Sequence, residues 1–173
     1  EETAFPVLPA KEGDLENFLL LEKTALQQLG PQKRDWYVTD GPDFFRRHLS
    51  REGALLKIPC GKRLAAFLAL RFPEDAQDSL FPYALQYAKV PKEDRPFCAH
   101  MESVAVHPDF YGNGLMEKLL REGAALAERK GMRHLMATVH PDNRFSRENF
   151  EKAGFFPLTQ TRKYGGLRRL IYY

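Results

Sequence analysis

Apolar residues change their spacing several times along this chain, and each change marks an element. Residues 5–8 read as a short first strand, closed by Pro9. Leu15, Phe18, Leu19, Glu22, Ala25, Leu26 and Leu29 then recur at the spacing of one helix face, between Asp14 as a cap and Gly30 as a stop. Gly41-Pro42-Asp43 opens a second helix through Phe44, Phe45 and Leu49 that ends near Gly53. Residues 54–59 and 64–72 read as two strands of a hairpin around the tight turn Gly61-Lys62.

The middle of the chain is less regular. Pro73-Glu74-Asp75 reads as a turn, residues 80–90 as a short helix and residues 91–96 as loop. A long strand follows over 99–107, then a glycine turn and a helix over 115–130. Its inward face is Leu115, Leu119, Gly123 and Leu126, flanked by Met116, Leu120 and Ala127. Gly131 ends it. Residues 134–139 read as a strand and 144–153 as a helix stopped by Gly154. Residues 155–173 read as an antiparallel pair turning at Gly165-Gly166. A strand, helix, strand unit of this length implies a parallel crossover, and the rest reads as antiparallel. The expected class is α/β: a mixed sheet with helices on both faces.

An internal echo sits at the ends of the two parallel strands. Val106-His107-Pro108-Asp109 and Val139-His140-Pro141-Asp142 repeat the same pattern, and proline stops ladder pairing at each. Two histidines without a third ligand make a poor metal site, so no metal is expected.

At 173 residues the chain is expected to form one domain. Its parts are an N-terminal region over 5–98, a core holding the strand, helix, strand unit over 99–155 and a terminal strand pair over 156–173. No apolar run approaches a membrane span and no signal pattern opens the chain. The two cysteines, Cys60 and Cys98, have no metal or redox spacing; both read as small packing residues and suit a reducing cytoplasm. A net charge of +3 is too mild for a nucleic-acid partner. After Glu151, however, Lys152, Arg162, Lys163, Arg168 and Arg169 meet no acid. They are either a solvated face or a positive rim for an anionic ligand.

Candidate chemistry centres on Val104 to Leu120, where β-forming residues give way to helical spacing through Gly112 and Gly114. A helix starting there turns unpaired N–H groups and its positive end outward, forming a seat for phosphate. Glycine accepts positive φ and keeps no side chain between phosphate and backbone. A dinucleotide fingerprint is excluded, because Glu117 stands where a third glycine is needed.

These residues resemble the central motif of the GNAT superfamily of acetyl-CoA-dependent N-acetyltransferases, usually Arg/Gln-x-x-Gly-x-Gly/Ala. Here the loop reads Tyr111-Gly112-Asn113-Gly114-Leu115-Met116, with Tyr111 replacing Arg or Gln and Met116 replacing a small residue. A second signature, Asn143-Arg-Phe-Ser146-Arg-Glu-Asn149-Phe150-Glu-Lys-Ala-Gly154-Phe155, resembles the family pattern that closes over the cofactor, with Phe150 at the usual tyrosine. The resemblance covers most of the chain and is strongest over 102–155. It implies a GNAT-like, mostly antiparallel sheet with a central parallel unit, and acetyl-CoA as co-substrate. Tyr111 to Met116 would bind it, with the pantetheine arm on the backbone of Val104, Ala105 and Val106. Asn143, Ser146, Asn149 and Phe150 would close over it.

The implied reaction is transfer of the acetyl group to a primary amine of a small molecule or peptide by direct attack. Glu102 is the leading base and His100 the second candidate. They lie two apart on one strand and share a face with Val104 and Val106 unless a bulge intervenes. Ser146, a turn before Phe150, is a candidate donor to the departing sulfur, as is Tyr164. Trp36, Tyr37, Asp40, Phe44 and Phe45 form an aromatic cluster with one acid, suited either to an amine or to packing; Tyr83 and Tyr87 are equally undecided. The rival reading is a non-catalytic acyl-CoA-binding sensor or interaction module. A homodimer is left open.

Overall fold

The computed structural model describes residues 5–73 and 79–173. Its elements are β1 (Leu8–Pro9), α1 (Leu15–Leu29), α2 (Pro42–His48), β2 (Gly53–Cys60), β3 (Arg63–Arg71), α3 (Phe81–Tyr87), β4 (Cys98–Val106), α4 (Leu115–Arg129), β5 (His134–Val139), α5 (Arg144–Lys152), β6 (Pro157–Lys163) and β7 (Leu167–Tyr172). The seven strands form one sheet in the order β1-β2-β3-β4-β5-β7-β6, antiparallel except for the β4–β5 pair. The expected mixed sheet is therefore observed.

β3 explains why the sheet is covered twice. Residues 64–70 are buried on both faces, so no polar alternation marks a solvent side. Ala66, Leu68 and Leu70 pack with α4, whereas Leu64, Phe67 and Ala69 pack with Leu15, Phe18 and Leu21 of α1 and Phe45 of α2. α3 covers Met136 of β5 and Ile171 of β7 in a third cluster.

Several expectations need correction. β1 is Leu8–Pro9 rather than residues 5–8, because Pro9 still lies opposite Leu56 at the sheet edge, where a missing N–H does no harm. Asp14 precedes α1 without capping it: its carboxylate accepts from Lys11 N and Lys57 Nζ instead. Leu21 joins the buried face of α1. α2 ends at His48, α3 is shorter than residues 80–90, and residues 92–97 form 3-10 turns rather than open loop. Cys60 is exposed, so it is no packing residue; Cys98 is half-buried, and burial pushes its thiol up to about 11. The turn expected at Pro73-Glu74-Asp75 extends outside the described residues.

The decisive irregularity lies in β4. Ala69 lies opposite Ser103 and Leu70 opposite Met101, leaving Glu102 as an extra residue. Such a bulge reverses the alternation of side chains beyond it. Ala99 and Met101 pack on the α4 side, and so do Val104 and Val106, while Ala105 faces α1 and α2. His100 and Glu102 therefore do not share a face with Val104 and Val106. Glu102 and Ser103 instead both turn toward the α1–α2 side.

The β4–β5 pairing also ends here. It runs from Cys98 opposite His134 to Met101 opposite Ala137 and stops. β4 continues along β3 to Val106, and β5 continues along β7 to Val139, so the two parallel strands part after the bulge.

Gly123 sets how closely α4 approaches this region. A Cβ there would lie 2.4 Å from Leu68 Cδ2 and 3.2 Å from Met101 Cε. Gly123→Ala gains up to about 1 kcal/mol of helix propensity, against roughly 1–3 kcal/mol for overpacking. The expected outcome is a melting temperature lower by about 2–4 °C. An unchanged or higher value would show that α4 moves away freely.

Candidate active site

The gap between β4 and β5 joins two cavities. The first, of about 410 Å³, is lined by Val104, Ala105 and Val106 of the freed β4 edge, by Tyr111 and Met116, and by residues 142–146. Ala25, Gln28 and Leu29 of α1 line it too, and the start of α4 reaches it through Met116. Gly112 and Gly114 have φ of 84° and 67°, and a Cβ at Gly114 would meet nothing within 4 Å. The approach to this backbone is thus open. The first α4 amide with a backbone acceptor is Lys118 N, on Gly114 O at 3.1 Å; among the described residues those of Leu115, Met116 and Glu117 have none. The rings of Tyr111 and Phe145, both about half exposed, face each other at 5.7 Å across the mouth.

Asn143 caps α5, its Oδ1 accepting from Ser146 N at 3.2 Å. The echoed histidines also do one common job. His107 Nδ1 accepts from Asp109 N and His140 Nδ1 from Asp142 N, each at 3.1 Å, closing the turn after each strand.

The second cavity, of about 280 Å³, opens on the α1–α2 side. Trp36, Tyr37, Val104, Asn143 and Ser146 line both cavities, so the two meet at the β4 gap. Glu102 Oε1 lies 2.9 Å from Arg71 Nε, off the axis of a hydrogen bond, and 3.5 Å from His48 Nε2. Burial raises the Glu102 carboxyl, but the His48 contact and the Arg71 guanidinium outweigh it and hold it below its ordinary value. Glu102 is therefore ionised. His100 is pushed the other way: burial, with help from Arg71 and Lys163, lowers it to about 3 and leaves a neutral ring at neutral pH.

Behind the gap lies a buried acid. Glu22 is 1% exposed on α1; Tyr37 OH donates to its Oε2 at 2.5 Å and Asp40 N to its Oε1 at 2.9 Å. Tyr37 OH also contacts Ser103 Oγ at 2.8 Å, tying α1 to the bulge. Burial, reinforced by the Asp40 carboxylate, pushes Glu22 up to about 9. A neutral carboxyl avoids the cost of an ion inside the protein. Asp40, also raised mainly by burial, lines the cavity with its Oδ2 lacking a partner.

Matching the sequence to protein-family models identifies the Acetyltransferase (GNAT) family over residues 17–155. The chain belongs to the GNAT acetyltransferase family. Comparison with curated proteins gave no match in sequence. Among solved structures, the chain is similar to a GNAT-family acetyltransferase from Streptococcus pneumoniae, at 15% identity and a TM-score of 0.71, covering 97% of this chain and 96% of that one. It is also similar to yncA, a putative acetyltransferase from Salmonella typhimurium solved with its cofactor acetyl-CoA (18%, TM-score 0.69, 98% and 92%). A third is the PaiA N-acetyltransferase from Thermoplasma acidophilum in complex with coenzyme A (13%, TM-score 0.68, 98% and 98%). At these identities the structural likeness shows the fold. No helix among the described residues is long and apolar enough to cross a membrane.

Within this GNAT fold the residues singled out from sequence divide. Tyr111, Met116, Asn143, Ser146 and Val104 to Val106 line the first cavity, while Glu102, His100, Ser146 and Phe150 line the second. Leu115 and Met116 bury their side chains in the core, leaving only backbone for a ligand. Asn113 turns its amide back to Phe110 O, and Asn149 Nδ2 donates to Phe145 O on the exposed side of α5. Gly112, Asn113, Gly114, Leu115 and Asn149 line neither of the two cavities. Phe150 packs edge-on against Phe155 and close to Tyr172. The aromatic cluster splits as well: Phe45 is core, while Trp36, Tyr37, Asp40 and Phe44 line the cleft. Tyr87 is exposed, and Tyr83 packs with the α3 cluster, its ring within 5.9 Å of Lys163 Nζ. Glu22 was hidden in the sequence because it falls on the apolar stripe of α1; a carboxylate at such a position is itself the signal.

The buried acid has a measurable consequence. Glu22 titrates near 9 in the fold against 4.5 for an unperturbed carboxyl. Between those values the folded chain holds more protons than the unfolded chain, so stability falls as pH rises across that window. Glu22→Gln keeps a carbonyl for Asp40 N–H and has no proton to lose. Its melting temperature relative to the parent should therefore rise steadily from about pH 5 to about pH 8. Parallel profiles would mean that Glu22 is ionised in the fold.

Proposed function

We propose that the chain transfers the acetyl group of acetyl-CoA to a primary amine by direct attack within a ternary complex. The observation that carries this reading is the meeting of two cavities at the parted strands. One is bordered by an unpaired strand edge and, at Met116, by the helix start with its free amides, the other by titratable side chains.

The residues present fit acetyl-CoA. The open amides at the start of α4 suit a pyrophosphate, and Lys33 and Arg144 in the same cavity add the positive charge that Tyr111 lacks. The β4 edge beyond Met101, released from β5, offers N–H and C=O groups to the amides of a pantetheine arm. The acetyl group then lies near the bulge, and an amine reaches it from the second cavity.

Glu102 receives the amine and takes its proton, directly or through water, as the nitrogen forms its bond to the acetyl carbon. Neither group is a strong base, but Glu102 is anionic and the proton on nitrogen becomes acidic as the N–C bond forms. The neutral His100 carries no charge to draw it and serves to position Glu102 and Arg71, whose Nη2 lies 3.3 Å from His100 Nδ1. The C–S bond breaks and the thiolate departs. With an ordinary thiol pKa near ~8.5, it needs little assistance. Ser146, which borders both cavities, is the donor best placed to stabilise it; Phe150 has no proton to give. Neither cysteine lines either cavity, so no acyl-enzyme is invoked.

Thiol release from acetyl-CoA across a panel of amines is the direct test. With an accepted amine, Glu102→Gln should lower kcat by about 10²-fold while sparing acetyl-CoA binding, and the loss should shrink at high pH, where more amine is already neutral. His100→Ala should act more mildly, by less than about tenfold. Wild-type turnover by Glu102→Gln would remove Glu102 from the reaction. Acetyl-CoA binding with no accepted amine would favour the CoA-binding sensor.

A further inference from the structure

The charges around the second cavity are sorted by wall. Asp40, on the loop before α2, and Glu102, at the β4 bulge, bring carboxylates from the sheet centre. Arg71 lies against Glu102, and that pair largely cancels. On the opposite wall stand Lys163, at the end of β6, and Arg169, on β7. Among the described residues neither has a carboxylate partner, whereas their neighbour Arg168 is paired with Asp142 at 2.9 Å.

Arg169 is the unusual member. It is 3% exposed, yet its recorded bonds, from Nη1 to Arg168 O and from Nη2 to Asp35 O, each 2.7 Å, both reach neutral carbonyls. Its guanidinium lies over the Tyr164 ring at 5.6 Å, and the Tyr164 hydroxyl is fixed to Thr138 Oγ1 at 2.9 Å. Carbonyls satisfy N–H groups without supplying countercharge. The Asp35 carboxylate acts on Arg169 from a distance but sits on His140 Nε2 at 3.3 Å, so the charge is matched only in part, which is costly for a buried ion. Asp40 presents the mirror case, a carboxylate with one oxygen lacking a partner in the same cavity.

We propose that the acceptor is a small amine carrying its own anion, a carboxylate or phosphonate. Its ammonium lies between Asp40 and Glu102 and its anionic group against Arg169 and Lys163. This rests on the acetyl-transfer reading and narrows it. Each end of such a molecule supplies the countercharge that its wall lacks. A plain alkylamine satisfies one wall, and a polyamine meets repulsion at the other. The cavity, about 280 Å³, is at the small end for ligand sites, which also suits a compact acceptor.

The experiment uses matched pairs: α-amino acids and aminomethylphosphonate against the corresponding amino amides and alkylamines. Turnover is read as thiol release with acetyl-CoA, and binding as calorimetry on the CoA-saturated protein. The acids should exceed their amides by about tenfold or more in kcat/KM and in affinity, as expected for a charge-assisted contact. Lys163→Gln, on a half-buried strand end, should cut that ratio several-fold. Arg169→Gln should cut it further if its circular dichroism shows a folded protein. Acid-selective binding without turnover would uphold the inference and overturn the transfer reading. Amides or alkylamines accepted as well as acids would overturn the inference and leave transfer standing. So would acceptance of peptide N-termini alone, or a ratio unchanged in Lys163→Gln. Neither binding nor turnover by any acid would overturn the inference.

Discussion

The single extra residue in β4 is the constraint on which the rest of this structure depends. Without it, the strand would continue its two-residue alternation, and Ser103 would turn into the α4 core. With it, Glu102 and Ser103 both face α1 and α2, while Val104 and Val106 return to the core. The same point ends pairing with β5. One local irregularity thus supplies the polar groups of the cleft and stands beside a strand edge without a partner.

The groups behind the bulge are arranged so that few charges oppose one another without relief. Glu22 is neutral, which lets it accept from Tyr37 and Asp40 N without placing a second full charge beside Asp40. Glu102 is ionised because the Arg71 guanidinium and the His48 ring lie against it. The same low-dielectric surroundings that make Glu22 neutral make the incompletely matched Asp40 and Arg169 costly. That cost is the physical basis for expecting an acceptor that brings charges of both signs.

Much of the architecture was legible from periodicity and breakers. β5 matched residue for residue, and α4 and α5 to within one residue, because Gly131 and Gly154 punctuate strong periodic runs. The glycine turn was legible for a local reason: positive φ at Gly112 and Gly114 demands glycine. What escaped depended on contacts distant in sequence. The bulge arises from the register of β4 against β3, some thirty residues away along the chain, and no pattern within β4 announces it. Glu22 hid among leucines for the same reason, since its partners Tyr37 and Asp40 come from the following loop. The terminal cations looked uniform in sequence and divided only once Arg168 found Asp142.

The central claim is that the parted strands and the start of α4 form one seat for acetyl-CoA. Titrating acetyl-CoA into isotope-labelled protein and following backbone amide resonances tests it most directly. The account predicts that the largest shifts, and slowed amide exchange, fall on residues 103–106 and 112–117. Gly114→Asp, which sets a carboxylate where a phosphate would rest, should abolish them in a folded protein. Shifts concentrated instead in the cavity between β2 and the end of α4, where Arg51, Arg129 and Lys130 gather, would contradict the account.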